Sequence, residues 1–232
     1  MKRAGRILSA GSLVASPLLL LAYWLTYPAY GELAGDKVIQ SVNREPSMTA
    51  LSDVFAFLGA SLAVPASLAL MRVLRRPAPR LAWVGGSLSV VGWIAVTALL
   101  MTDVLAVEIA HQGPSGELVR LFKDLLSNPF VIALNVAASL HIVGGLLIGI
   151  ALVRSRLIPR WLAIGATIAS PVHLGANLAG QLWLDSMTWV VVAAAYAFVV
   201  PAILNDEGGK PSRTTGMGPG PATRSPMATL ET

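Results

Sequence analysis

Six long apolar stretches dominate the pattern along this chain, at about 7–29, 50–73, 81–104, 129–153, 161–183 and 188–205. Each is long enough to cross ~30 Å of hydrocarbon as a helix that rises ~1.5 Å per residue. Because a bilayer core offers no water to backbone polar groups, such stretches must be helical. The pattern predicts an all-α, polytopic transmembrane bundle of six helices. The first stretch exceeds the apolar core of a signal peptide, so we interpret it as an uncleaved first helix.

The polar segments divide the chain into a transmembrane domain, 1–205, and a tail, 206–232. The tail is rich in Gly, Pro, Ser and Thr and has no apolar period, which predicts a disordered cytoplasmic segment. The longest loops are 30–49 and 105–128, and within the second the stretch 116–126 has apolar residues at helical spacing. We expect a short helix there, lying on the membrane surface.

Lysine and arginine positions predict the orientation. One set of loops and ends holds thirteen, namely Lys2, Arg3, Arg6, Arg72, Arg75, Arg76, Arg80, Arg154, Arg156, Arg160, Lys210, Arg213 and Arg224. The alternate set holds four, namely Lys37, Arg44, Arg120 and Lys123. Because positive charge concentrates in cytoplasmic loops, both termini are predicted to be cytoplasmic. This alternation requires an even number of spans and therefore agrees with six.

Composition supports a membrane protein and excludes several other classes. The chain is 55% hydrophobic and 12% charged, against roughly 25% charged residues in an average soluble domain. The net charge of +5 does not predict nucleic-acid binding, because the basic residues are spread between apolar stretches and form no single patch. The chain has no Cys, which excludes disulfides, thiolate metal sites and Cys nucleophiles.

Ionisable side chains inside membrane spans are costly and therefore mark candidate sites. His141 and His173 each lie about twelve residues from a helix end, or ~18 Å, which places both near the bilayer midplane. Polar groups on neighbouring helices lie between this depth and the outer surface. The candidate ligand-binding residues are Asp53, Asp103, Asn135, His141, His173 and Asn177.

The faces of these helices point the histidines into the bundle. Small residues share a stripe with His141 and another with His173, and such stripes mark close approach between helices. Pro171 can kink the fifth helix beside His173. We therefore expect an outward-opening polar cavity with the two histidines at its floor. The alternative is that these polar groups only hold the helices together.

The cavity leaves several functions open. The first is binding or passage of a small or lipid-like ligand, or an accessory role in a membrane complex. The alternative is an enzyme acting on a lipid or isoprenoid, with a carboxylate or histidine as general acid or base. A second alternative is a redox subunit in which the histidines hold haem or a metal. No nucleotide, dinucleotide or metalloprotease motif supports catalysis, so an enzyme is disfavoured but left open, and no cofactor is predicted.

The expected partners are the lipid bilayer and a small-molecule or lipid ligand. Gly145 and Gly149 form a GxxxG motif, which is compatible with a homodimer or a larger membrane complex. Close packing inside the bundle is the interpretation that we favour for this motif.

The order of these features resembles a family of small bacterial integral membrane proteins of unknown function with about six helices. The similar residues are the basic start at 2–8, the loop at 74–80 with Gly85 and Gly86 after it, and the segment 152–162, LVRSRLIPRWL. The resemblance covers about residues 1–205. It implies a multi-pass protein of the bacterial plasma membrane and implies no catalytic residues.

Overall fold

The computed structural model describes residues 3–32 and 34–205, and in these ranges every regular element is an α-helix. The all-α prediction is confirmed. The predicted disordered tail, 206–232, lies outside the described residues. The helices are α1 (Arg3–Thr26), α2 (Gly35–Arg44), α3 (Pro46–Leu74), α4 (Pro79–Gln112), α5 (Gly116–Leu126), α6 (Pro129–Ser155), α7 (Arg160–Leu178) and α8 (Leu182–Leu204).

The six longest helices pack as a ring in chain order, α1–α3–α4–α6–α7–α8, and α8 closes the ring against α1. The short helices α2 and α5 pack on the end of α4 and on each other. We call the side of the bundle that holds α2 and α5 the capped end. The opposite side, where α1 begins and α8 ends, is the termini end. There the Arg6 Nη1 donates to the Leu204 carbonyl at 2.9 Å.

Five of the helices, α1, α3, α4, α6 and α8, are long and apolar enough to cross a membrane. The sixth member of the ring, α7, has 19 residues and carries Pro171, His173 and Asn177. These polar residues and the proline lower its hydropathy, although the helix packs between α6 and α8 like the other members of the ring.

The predicted boundaries were wrong at two places. α4 continues to Gln112, eight residues beyond the predicted end at 104, because Ala106 and Ile109 pack against α2 and α5. α7 ends at Leu178 instead of 183, and α8 begins at Leu182 instead of 188. Gly180 causes this earlier end with φ +63°. Its N–H donates to the Asn177 carbonyl at 3.1 Å, and the next N–H donates to the Ala176 carbonyl at 2.8 Å, which is the Schellman pattern of helix termination.

The capped end is held by apolar contacts between the two short helices and α4. The helix predicted over 116–126 is present as α5, and its Phe122 is 2% exposed against Ile39 and Ile109. Lys123 Nζ lies 3.3 Å from Asp36 of α2. Backbone hydrogen bonds and Lys123 lower the pKa of this exposed carboxyl group, so the ion pair persists into mildly acidic solution.

The interior differs between the two ends of the bundle. Towards the termini end, the core is mainly apolar and includes Leu13, Leu70, Leu152, Leu162 and Val199, all nearly inaccessible to solvent. Towards the capped end, the ring encloses polar and aromatic side chains. The packed apolar half therefore supports a half that has room for a site.

Candidate functional site

A cavity of about 360 Å³ lies within the ring in the half nearer the capped end. All six helices of the ring contribute to its walls. Of the six residues proposed from sequence, five line it, namely Asp103, Asn135, His141, His173 and Asn177. Asp53 is not among the lining residues. The structure thus brings the five side chains to one place, and their role in binding a ligand stays a prediction.

The two histidines lie at the boundary between this cavity and a smaller one of about 50 Å³. Their ring centroids are 6.1 Å apart. The smaller cavity extends towards the apolar core and is bordered by Ser89, Ser170 and Tyr196. The histidine rings therefore separate the larger cavity from the packed half of the bundle.

His141 is fixed by its own helix and by α4. Its Nδ1 lies 2.6 Å from the Ala138 carbonyl oxygen. A carbonyl only accepts, so Nδ1 carries the proton and Nε2 of the neutral ring is an acceptor. Nε2 is buried and has no hydrogen-bond partner among the residues that the structure describes. Gly92 of α4 approaches the His141 backbone so closely that a Cβ would overlap the His141 N and Cα atoms.

His173 is fixed by a residue that sequence reasoning missed. Its Nδ1 lies 2.5 Å from Oδ1 of Asp185, a carboxyl group with no solvent-exposed surface. The Tyr30 hydroxyl donates to the other carboxyl oxygen at 3.3 Å. Burial, the Asp185 charge and this hydrogen bond raise the pKa of Tyr30 above its ordinary value, so the phenol keeps its proton and donates.

Asp185 escaped notice because the predicted last helix began at 188. Two features of the sequence pointed to it: Gly180 is a typical stop residue, and acidic residues favour the first turn of a helix. A helix beginning just after Gly180 would have placed Asp185 in its first turn, facing the bundle.

A contact between two glycines brings Tyr30 to Asp185. Gly31, in the loop after α1, has φ +76°, and a Cβ there would lie 2.8 Å from the Gly180 Cα. The loop after α1 therefore packs directly on the backbone of the α7–α8 turn. This contact seats the Tyr30 hydroxyl over the first turn of α8.

A second polar group lies nearer the capped end. Asp103 Oδ1 accepts a hydrogen bond from the Tyr27 hydroxyl at 3.3 Å. Asp53 of α3 lies close enough for its charge to interact with that of Asp103. The Asp53 Oδ1 is buried and has no hydrogen-bond partner in the described residues. The two carboxyl groups make this part of the bundle acidic.

Aromatic rings connect the two polar groups. Tyr23 and Trp24 of α1 have centroids 4.5 Å apart, and Trp24 lies 5.9 Å from the His173 ring. Trp93 and Trp189 lie 6.3 Å apart and contact His141 and His173, respectively. Trp189 Nε1 is a buried donor that has no partner in the described part of the chain. Four aromatic side chains, Tyr23, Trp24, Trp93 and Trp189, therefore line the cavity.

The exposed residues of the cavity lining indicate where the cavity opens. The lining residues include three exposed ones, namely Asn135, Ser139 and Leu174, and all belong to α6 or α7. Nearer the termini end the same two helices pack tightly, since Gly145 and Gly149 contact Ser170 and Thr167. We infer that the cavity opens to the side of the bundle, between the ends of α6 and α7 nearer the cap.

The close contacts of Gly145 and Gly149 with α7 also bear on the GxxxG motif. The preferred interpretation of this motif, close packing inside the bundle, is confirmed.

The described residues contain no group of three or more His, Asp or Glu side chains placed to hold a metal ion. The two histidines offer one free Nε2 each if both Nδ1 atoms carry protons. The chemistry that the arrangement presents is hydrogen-bond acceptance by imidazole, a carboxyl group at Asp103 and apolar contact with aromatic rings.

Apolar helices of spanning length around a cavity with buried polar groups define an α-helical membrane protein. Residues 14–204 match the domain of unknown function DUF4386. The chain belongs to this family, which confirms the resemblance to membrane proteins of unknown function. Neither a curated protein nor a solved structure matches the chain.

Proposed function

We propose that this protein binds, or passes, a small or lipid-like ligand in the cavity that His141 and His173 border. The observation that carries the proposal is the buried Nε2 of His141, an acceptor that has no partner within residues 3–32 and 34–205 and lies beside about 360 Å³ of space. Buried polar atoms are nearly always paired, so an unpaired one beside a cavity indicates a site for a polar group of another molecule.

The side opening favours a ligand that enters from the membrane. Its walls combine apolar residues with amides, as at Leu174 and Asn177, which suits a molecule that is part apolar and part polar. Such a molecule concentrates in the bilayer and reaches the mouth without crossing water.

The proposed setting is the bacterial plasma membrane, with six spans and both termini in the cytoplasm. The Arg6–Leu204 hydrogen bond supports an even number of crossings, because it joins the beginning of α1 to the end of α8. The distribution of Lys and Arg supports the cytoplasmic placement of the termini end. In this orientation the cavity lies in the periplasmic half of the bundle.

Native mass spectrometry of protein purified in a mild detergent tests the proposal. We expect a defined additional mass on the wild-type chain, and a loss of most of that mass in His141→Ala and in His173→Ala. His111→Ala is the matched control, because His111 is the third histidine of the chain and lies exposed at the end of α4. Thermal unfolding verifies that each variant is folded.

A bare polypeptide mass, together with no gain in thermal stability from a library of membrane lipids, would contradict the proposal. That outcome would favour an accessory or purely structural role in a membrane complex. A mass equal to haem or a metal ion would favour the redox alternative instead.

A membrane-embedded enzyme acting on a lipid or isoprenoid is the second candidate, and the His173–Asp185 pair favours it. A carboxylate that holds Nδ1–H leaves Nε2 basic and oriented, as a general base requires. Lipid extracts from cells that overproduce the protein should then contain altered species, and His173→Gln at equal expression should restore the normal profile. Identical lipid profiles with and without the wild-type protein would rule out this candidate.

A further inference from the structure

The cavity has an uneven charge. Among the described residues, its lining includes one carboxyl group, Asp103, and no Lys or Arg. Within the described residues, no cationic side chain forms an ion pair with Asp103. Asp53 and Asp185 add further acidic groups near the cavity, each on a different helix. A carboxylate at this depth is costly unless a positive charge or a proton neutralises it.

The aromatic wall has the matching property. The faces of Tyr23, Trp24, Trp93 and Trp189 are negative because of their π-electrons, and these four side chains line the same cavity as Asp103. Aromatic side chains, Trp above all, are a usual means of binding an ammonium group in proteins. Among the described residues, the lining offers a phosphate or carboxylate ligand no Lys or Arg.

We propose that the ligand is a small organic cation, an amine or quaternary ammonium with an apolar body. The inference rests on the proposed function and specifies its ligand. The cationic group lies beside Tyr23 and Trp24, which pack against Tyr27, the hydrogen-bond partner of Asp103, and Asp103 is its counter-ion. The apolar body extends towards the mouth at Leu174. A hydroxyl or amine N–H on the ligand donates to His141 Nε2, which supplies the partner that this atom lacks.

A matched pair of probes tests the charge directly. Benzyltrimethylammonium and neopentylbenzene have the same shape, and they differ in a positively charged nitrogen where the other has a carbon. Tryptophan fluorescence of the full chain in lipid nanodiscs reports binding, since three of the six tryptophans line the cavity. We expect the cation to bind at least tenfold more tightly than the neutral probe.

Variants of Asp103 test whether its carboxyl group causes the preference for the cationic probe. Asp103→Asn should reduce the preference for the cation to within about twofold, and Asp103→Glu should keep most of it. Asp124→Asn is the control, because this residue is exposed on α5 and lies outside the cavity. If Asp103→Asn proves unfolded, the comparison of the two probes on the wild-type chain still decides the question.

Equal affinity for both probes, or tighter binding of neopentylbenzene, would overturn the inference and leave the proposed ligand-binding function standing. An unchanged preference in folded Asp103→Asn would overturn the role of Asp103. If neither probe binds, the inference fails, and the mass spectrum of the purified protein then decides the proposed function separately. A neutral co-purifying lipid would retain that function, and a bare chain would remove it.

Discussion

The hydrogen bond between His173 and Asp185 joins α7 to α8 through two side chains that are both costly to bury. Asp185→Ala would leave Nδ1 of His173 and the Tyr30 hydroxyl without their partner in a buried place. We expect a loss of about 1–3 kcal/mol in the free energy of unfolding. Asp185→Asn should lose less, because an amide oxygen can still accept from Nδ1–H.

Thermal unfolding in detergent, followed by tryptophan fluorescence, measures both changes. The matched control is Asp124→Ala, which removes a carboxyl group from the exposed face of α5. Equal melting temperatures for Asp185→Ala and the wild type would show that the hydrogen bond adds nothing to stability.

Gly92 offers a second test at the scale of one residue. Its missing Cβ allows α4 to approach the backbone of His141, so Gly92→Ala forces the two helices apart. Overpacking of this kind costs about 1–3 kcal/mol. Gly11→Ala is the control, because Gly11 is an exposed helical glycine with nothing within 4 Å of a Cβ, and alanine there should stabilise by roughly 0.5–1 kcal/mol.

Chemical unfolding of the purified variants measures both changes in the free energy of unfolding, the expected loss for Gly92→Ala and the expected gain for Gly11→Ala. A Gly92→Ala protein as stable as Gly11→Ala would mean that α4 and α6 are not in the close contact described above. The displacement of α4 from α6 should also weaken the binding of any ligand, since Gly92 sets the position of His141.

Single residues also show how far sequence reasoning reached. His141 and His173 were placed at one depth and on inward faces from their spacing and from the small residues beside them. Asp185 and Tyr30 were missed because they join the site through a loop and a helix start. Their proximity depends on the Gly31–Gly180 contact, which no periodicity along the chain reveals.

At the scale of elements, the turn between α7 and α8 determines whether Asp185 faces His173. Gly180 has φ +63° with open space around its Cβ position, so Gly180→Ala tests backbone strain alone. We expect a destabilisation of about 1–2 kcal/mol. Gly31→Ala adds a backbone clash to the same kind of strain and should destabilise more.

Melting temperatures of the two variants, compared with Gly175→Ala, measure this ordering. Gly175 lies in α7, is exposed and has nothing within 4 Å of a Cβ, so alanine there should not destabilise. If Gly31→Ala proved milder than Gly180→Ala, the loop after α1 would not be packed on the turn.

Elements also explain which boundaries the sequence could predict. Long apolar stretches predicted all six helices of the ring, because each of these helices has apolar residues at both its buried and its exposed positions. The ends of α4 and α7 could not be read in this way. The end of α4 depends on packing against α2 and α5, and the end of α7 depends on the conformation of one glycine.

At the scale of the whole molecule, the closed ring requires that the chain alternates between the two ends of the bundle. Because the chain contains no Cys, single cysteines can report each end. We expect Cys at Gln40 and Gln181, both exposed at the capped end, to react with a membrane-impermeant maleimide on spheroplasts. Cys at Pro77 and Leu157, both exposed at the termini end, should react only after the membrane is permeabilised.

The pattern of labelling separates the orientation from the number of spans. Labelling of Pro77 and Leu157 in place of Gln40 and Gln181 would reverse the orientation and put the cavity in the cytoplasmic half. Labelling at position 40 without labelling at position 181 would mean that α7 does not cross the membrane, since the loop after α1 packs on the α7–α8 turn at the capped end. The His173–Asp185 pair would then have no basis, because it requires α7 and α8 to run antiparallel within one bundle.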